Sequence, residues 1–184
     1  MIRFGIHPSA IIDCQGELDI PDDAVIEPGV VIYIGARGRL RLGRRNTIYA
    51  NTTIRIDQGY METGDEVSFG TGVQIYEPRA GLEIGHYCMI GGGVVMAGSI
   101  HEFGRIDVPI RNQPQTAGKI VLEDDVALGM GSVVLPNVTI GKGAFIGAGC
   151  VVSRSIPPYA VARGRHCEVE WYRNDPASKP GPTR

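Results

Sequence analysis

The sequence predicts an all-β solenoid, one chain wound into a helix of short stacked strands, and three observations carry that expectation. Aliphatic residues recur at every sixth position, small or β-branched residues stand four places after them, and glycines directly follow many of the hits. An α-helix needs its apolar stripe at a period near ~3.6, so a period of six fits poorly, whereas short strands broken by glycine turns fit well. A fixed period means stacked units that bury a core only against their neighbours.

Taken in order, the hits are Ile20, Ile26 and Ile32, then Leu42, Ile48 and Ile54, then Phe69 and Ile75, then Ile84, Ile90 and Met96. The longest unbroken series is Leu122, Leu128, Val134, Ile140, Ile146 and Val152. Gly43, Gly85, Gly91, Gly129, Gly141 and Gly147 each follow a hit. The second signal lies at Val67, Val73, Cys88, Val94, Val126, Ser132, Val138, Ala144 and Cys150, so two inward positions per hexad face a narrow core. Three hexads close one triangular coil, and METGDEVSFGTGVQIYEP (61–78) and LEIGHYCMIGGGVVMAGS (82–99) each read as one such coil.

Composition bounds the function. With 184 residues, 18 Lys and Arg against 20 Asp and Glu, the chain is nearly neutral, which gives no reason to expect a nucleic-acid partner. No apolar run approaches the roughly 18 residues of a membrane span, and MIRFGIHPSA has no apolar stretch behind a basic start. The expectation is a cytoplasmic protein that does not span a membrane. Cys14, Cys88, Cys150 and Cys167 are widely separated without a C-x-x-C pair, so neither a zinc site nor a disulfide framework is suggested. Cys88 and Cys150 fall in the small inward slot and read as packed core thiols. The 26 glycines, about twice the usual ~7%, are structural punctuation of the repeat.

The count of six breaks furthest after Met96. Between Met96 and Leu122 it is overshot by about a coil's worth of sequence, and a long irregular insertion in a compact repeat is usually functional. The insertion starts just before His101. On residue type alone His101 reads either as a base or as a loop histidine bonded to backbone. His86 occupies a turn-side slot of an intact hexad, His7 belongs to the N-terminal cap, and His166 lies in the tail.

The hexads, above all GKIVLEDDVALGMGSVVLPNVTIGKGAFIGAGCVVSRSIPPYAVARG (118–164), resemble the left-handed β-helix acyltransferases, specifically the sugar O-acetyltransferase branch. The resemblance runs from about Ile20 to Arg165, and GSIHEFGRIDVPIRNQ (98–113) is more similar to the polysaccharide-modifying members than to the simple galactoside enzymes. It implies a left-handed parallel β-helix over residues 1–165 with a protruding loop at 100–118, followed by a C-terminal extension and tail at 166–184. It also implies a homotrimer with active sites between subunits and acetyl-CoA as cosubstrate, with no metal required. The acceptor would be a hydroxyl of a sugar, a sugar nucleotide or a lipid-linked saccharide.

Under this resemblance His101 is the catalytic base. A sugar hydroxyl is a poor nucleophile near neutral pH, and histidine, with an unperturbed pKa of ~6.5, can take its proton. The resemblance assigns the oxyanion donor to the amide of Met130 in LGMG on the adjoining subunit, where Gly129 and Gly131 let a ligand come close to the backbone. Glu77 and Glu102 are rival acceptor-binding carboxylates, Glu102 alternatively orienting His101. Gly129, Ala148, Ser153 and Arg154 would lie along the pantetheine arm, with Arg163 or Arg165 near the phosphates. Two departures stand out: Ala127 follows DDV where many relatives have tryptophan, and GRHCE (164–168) replaces GNPAK.

Alternative readings stay open. One is an N-acetyltransferase of an amino-sugar nucleotide. Another is a metal-dependent hydratase of the γ-carbonic anhydrase type, which needs several converging histidines, and only His86 and His101 lie near the right coils. A solenoid used for assembly alone is a third. The stretch ARGRLRLGRR (36–45) reads as a solvated rung, or as a basic patch that attracts an anionic acceptor. The end, RNDPASKPGPTR (173–184), reads as a frayed tail.

Overall fold

A strand of two or three residues cannot bury its apolar side chain alone, so each pairs with its counterparts in the turns before and after. The computed structural model describes residues 5–179. The chain winds as a prism with three faces of parallel strands. The first face runs through Gly5–Ile6, Val25–Ile26, Thr47–Ile48, Ser68–Phe69, Met89–Ile90, Ala127–Leu128, Phe145–Ile146 and Ala160–Arg163. Along the second lie Ile11–Cys14, the leading halves of Val31–Arg41 and Thr53–Thr63, then Gln74–Tyr76, Val95–Ala97, Val133–Val134 and Val151–Val152. The third holds Glu17–Asp19, the trailing halves of the two long strands, then Leu82–Ile84, Ile120–Leu122 and Val138–Ile140.

The hexad hits form the core. Ile26, Ile48, Phe69, Ile90, Leu128 and Ile146 stack in consecutive register along the first face, and none is more than 3% exposed. The small positions, from Val67 through Ser132 to Cys150, are buried as the sequence pattern requires. Ile20 differs, being only partly buried at the edge of this cluster.

Coil length departs from the uniform eighteen. Leu128 and Ile146 are 18 positions apart, but Ile26, Ile48, Phe69 and Ile90 follow one another at 22, 21 and 21. The extra residues sit at the corner between the second and third faces, at 35–38, 57–59 and 77–81. Stacking fixes the register of strands within a face but leaves corners free to lengthen. The expected coils at 61–78 and 82–99 are therefore too short for this half of the prism.

The outer surfaces differ in kind. The third face carries ion pairs, Arg39 to Glu62 at 2.9 Å, Arg41 to Asp19 at 3.5 Å and Lys119 to Glu83 at 2.7 Å. The basic stretch at 36–45 is thus largely matched by carboxylates, with Arg44 on Asp23 and Arg45 on Glu66. Arg37, Arg39 and Arg41 alternate along the outer side of one strand, which pairs in unbroken register with residues 58–62. The second face instead turns Val31, Tyr33, Val95, Ala97, Val133 and Val151 outward, none of them buried, with Thr53, Arg55 and Gln74 among them.

At the C-terminal end, strand Glu168–Tyr172 reverses and pairs antiparallel with Ala160–Arg163, covering the last edge of the first face. Of the segment expected to fray, Arg173 instead donates to Asp125 at 3.2 Å and to the Gly143 carbonyl. A short 3-10 turn follows at Pro176–Ser178. Residues 180–184 lie outside the described residues. Among the described residues no helix is long and apolar enough to cross a membrane.

The packing predicts thiol reactivity. Cys88, Cys150 and Cys167 are buried while Cys14 is exposed. Burial pushes the Cys88 thiol up to about 11, and burial beside Cys150 pushes Cys167 up to about 12. Alkylation of the native protein at neutral pH should add a single group, at Cys14, and unfolding should release the rest. Rapid labelling of Cys88 or Cys150 in the native state, read by peptide mass, would contradict this core.

Candidate active site

The insertion leaves the prism where side chains have no room. A Cβ on Gly98 would collide with Pro78 and with the Glu77 carbonyl of the preceding coil, so only glycine fits there. The chain then forms an antiparallel hairpin, Ser99–His101 with Gln115–Ala117, His101 opposite Gln115. Its base is closed by the Gly118 N–H on the Gly98 carbonyl at 3.2 Å. The prism runs on past it undisturbed, since Val95–Ala97 and Ile120–Leu122 still pair with the coils on both sides.

Within the hairpin, His101 is partly buried and held at both ring nitrogens. The Gln113 carbonyl lies 3.2 Å from Nδ1, and the Gln115 amide nitrogen lies 2.7 Å from Nε2. A carbonyl only accepts and an amide NH₂ only donates, so the ring proton is on Nδ1 and the lone pair on Nε2. This is the tautomer a base acting through Nε2 requires. Gln113 in turn is fixed by its own buried side chain, which donates to the Arg105 carbonyl at 2.7 Å and the Val108 carbonyl at 3.0 Å and accepts from the Arg105 N–H. The backbone bond expected of an ordinary loop histidine is thus present, and it orients the ring.

Glu102, the next residue, is exposed, and its carboxylate accepts from the Thr116 hydroxyl at 3.2 Å. Glu77 occupies the same corner one coil earlier but is 5% exposed, with Arg55 at 3.4 Å and Arg79 at 3.5 Å. Burial, reinforced by the nearby Asp57 charge, raises its carboxyl above the usual carboxylate range. Of the two rival carboxylates, Glu102 is the one presented to solvent beside His101.

The remaining candidates divide between two edges. Ser153 and Arg154 are exposed at the second–third corner of the last coil, on the side of the hairpin. Gly129, Met130, Ala148, Arg163 and Arg165 lie on the opposite edge, the first–second corner. There a Cβ on Gly129 would collide with the Ala148 backbone nitrogen of the next coil. Gly131 adopts φ 66° and gives its N–H to the Gly92 carbonyl, while the Met130 carbonyl accepts from Gly149. Met130 itself is 69% exposed, and among the described residues nothing accepts its N–H. Within one chain, therefore, His101 and the free amide stand at opposite edges of the second face, and Ala148 does not share an edge with Ser153 and Arg154.

His86 is placed differently. Its Nδ1 accepts the Asp65 N–H at 2.9 Å at the third–first corner, away from His101. Among the described residues no three His, Cys, Asp or Glu side chains gather as a metal site would need. Sequence reasoning missed Gln113 and Gln115, because their roles come from hairpin register, which no repeat signals.

Residues 119–154 match the family described as bacterial transferase hexapeptide (six repeats). The repeat described by that match is the one stacked in the C-terminal coils of the prism. The chain is 34% identical over 118 residues to a galactoside O-acetyltransferase of Lactococcus lactis subsp. lactis (strain IL1403), covering 61% of the chain and 56% of the relative. Over 80 residues it is 36% identical to a 2,3,4,5-tetrahydropyridine-2,6-dicarboxylate N-acetyltransferase of Staphylococcus aureus (strain Newman), covering 44% of the chain and 28% of the relative. The matches thus span between 28% and 56% of the length of these curated relatives. An N-acyltransferase from Bacillus cereus, solved as a mutant with dTDP and coenzyme A, superposes with a TM-score of 0.66 at 19% identity over 81% of this chain and 84% of that one. At that identity the likeness speaks for the fold.

Proposed function

We propose that this chain transfers the acetyl group of acetyl-CoA to a hydroxyl of a sugar or saccharide precursor, with His101 as general base. The observation that carries the reading is the His101 ring, its Nδ1 proton committed to the Gln113 carbonyl and its Nε2 lone pair turned to a displaceable amide. An acceptor hydroxyl replaces the Gln115 amide on Nε2 and gives up its proton as its oxygen attacks the thioester carbonyl. The Met130 N–H meets the charge that develops on that carbonyl oxygen. As the carbon–sulfur bond breaks, the imidazolium returns the proton to the departing thiolate, and the products are an acetyl ester and free coenzyme A.

The two half-sites lie at opposite edges of one face, which supports a ring of identical chains. If each copy turns its second face toward a common axis, the hairpin edge of one meets the Met130 edge of the next, a heterologous contact that closes as a homotrimer. The aliphatic positions on the exterior of that face, from Val95 to Val151, suit such a position, and the charged third face suits solvent. The first–second edge fits coenzyme A through its glycine-lined backbone and the arginines Arg163 and Arg165, and the exposed Ser153 and Arg154 flank it from the neighbouring copy. Glu102 then stands nearest the acceptor. Glu77 anchors the corner beneath the hairpin by holding Arg55 and Arg79.

An amine acceptor is the second reading, favoured by the N-acetyltransferase among the relatives. Incubation with acetyl-CoA and a panel of sugars, sugar nucleotides and oligosaccharides tests both. Acceptor-dependent thiol release is expected, and lability of the product to mild base distinguishes an ester from an amide. Absence of thiol release with every hydroxyl and amine acceptor would sink the proposal, and an active monomer in sedimentation would defeat the shared site.

A further inference from the structure

The C-terminal strand builds a cleft on the outer side of the first face, and of its lining only Arg163 enters the reaction proposed above. Reversal at 164–167 lays Glu168–Tyr172 beside Ala160–Arg163, and Trp171, opposite Val161, stands over the outer surface of the first face. The resulting cleft of about 470 Å³ has Met89, Ala127, Phe145 and Val161 as its floor and Trp171 as its wall. That volume lies within the ~300–1,000 Å³ of small-molecule sites. Met89 and Phe145 remain 60% and 41% exposed, so the floor is open to solvent.

Three cations surround this apolar surface, namely Arg163, Arg173 and Lys179. Arg173 is engaged with Asp125 at 3.2 Å, and Arg163 with Glu170. Lys179 has no carboxylate within bridging distance among the described residues, and its ammonium stands 5.4 Å from the centre of the Trp171 ring. A cation over an indole is attracted by the ring's negative face, and the same face stacks a planar heterocycle. An aromatic wall, an apolar floor and cations at the rim together match a flat base joined to phosphate; a neutral apolar ligand would leave the cations unused.

We propose that this cleft binds a nucleoside phosphate, its base stacked on Trp171 and its phosphate met by Lys179 and Arg163. Two molecules in the proposed reaction carry that chemistry, the adenosine head of coenzyme A and the nucleotide of a nucleotide-linked acceptor. The acyl-transfer reading is needed only to name these sources. The pocket also accounts for the replacement of GNPAK by GRHCE at 164–168, since that segment makes the turn that brings Trp171 back onto the prism.

Trp171 is the sole tryptophan of the chain, so its fluorescence reports on this cleft alone. The wild-type protein is titrated with the adenosine bisphosphate fragment of coenzyme A, AMP, UDP, dTDP and unphosphorylated adenosine, with calorimetry in parallel. Saturable quenching by a phosphorylated nucleoside is expected, with adenosine at least about tenfold weaker. A preference for the bisphosphate fragment names the donor as the source, whereas a preference for UDP or dTDP names the acceptor. Lys179→Ala should weaken binding by about tenfold, and Trp171→Leu should abolish it, read by calorimetry, while Trp171→Phe retains part of it and controls for folding. If no nucleotide produces quenching or heat, the proposal is overturned. It is overturned too if coenzyme A, UDP and dTDP each raise the melting temperature without moving the Trp171 signal, a result that leaves acyl transfer standing.

Discussion

Replacing His101 with alanine is expected to lower turnover by ~10²–10⁴-fold while leaving coenzyme A affinity nearly unchanged. In the proposed reaction the imidazole acts on the acceptor's proton, and among the described residues its ring bonds go to Gln113 and Gln115 in the same hairpin. The fold should survive because no strand of the prism rests on this side chain. His86→Ala is the control and should stay active, since its Nδ1 only accepts a backbone N–H at another corner. Unchanged turnover in the His101 variant would remove it as the base. Parallel loss of coenzyme A binding would assign it to the cofactor instead.

Ile146→Asp is expected to abolish folding outright. Ile146 is fully buried in the stack between Leu128 and Ala162. A lone carboxylate there loses its hydration with no partner, a cost of several kcal/mol against a total stability of only about 5–15 kcal/mol. Circular dichroism and solubility read the outcome, and a soluble variant with wild-type melting would show that the inward phase is misassigned.

The inward phase was legible because it is written many times. Each hit from Ile26 to Val152 repeats one requirement, an apolar side chain stacked on its counterpart, so every coil corroborates the others. The corner at 77–81 was not legible, because residues outside the faces are bound by no register. His101 stood out through the break in the count, yet the partners that set its tautomer did not, since Gln113 and Gln115 reach it through a hairpin pairing specific to this insertion. The separation of His101 from Met130 needs the winding itself, which alone tells which corner each turn residue occupies. Trp171 was hidden for a related reason: a strand after the last hexad gave no sign that it would fold back.

The closed foot of the hairpin makes it a detachable tool. Gly98 and Gly118 already stand within a hydrogen bond of each other, and the rungs on either side pair as though nothing lay between them. A rack of this kind can be refitted without being rebuilt, because lengthening, exchanging or excising the segment between those glycines disturbs no rung. Sequence can therefore drift in the appendage while the scaffold that positions it stays constant.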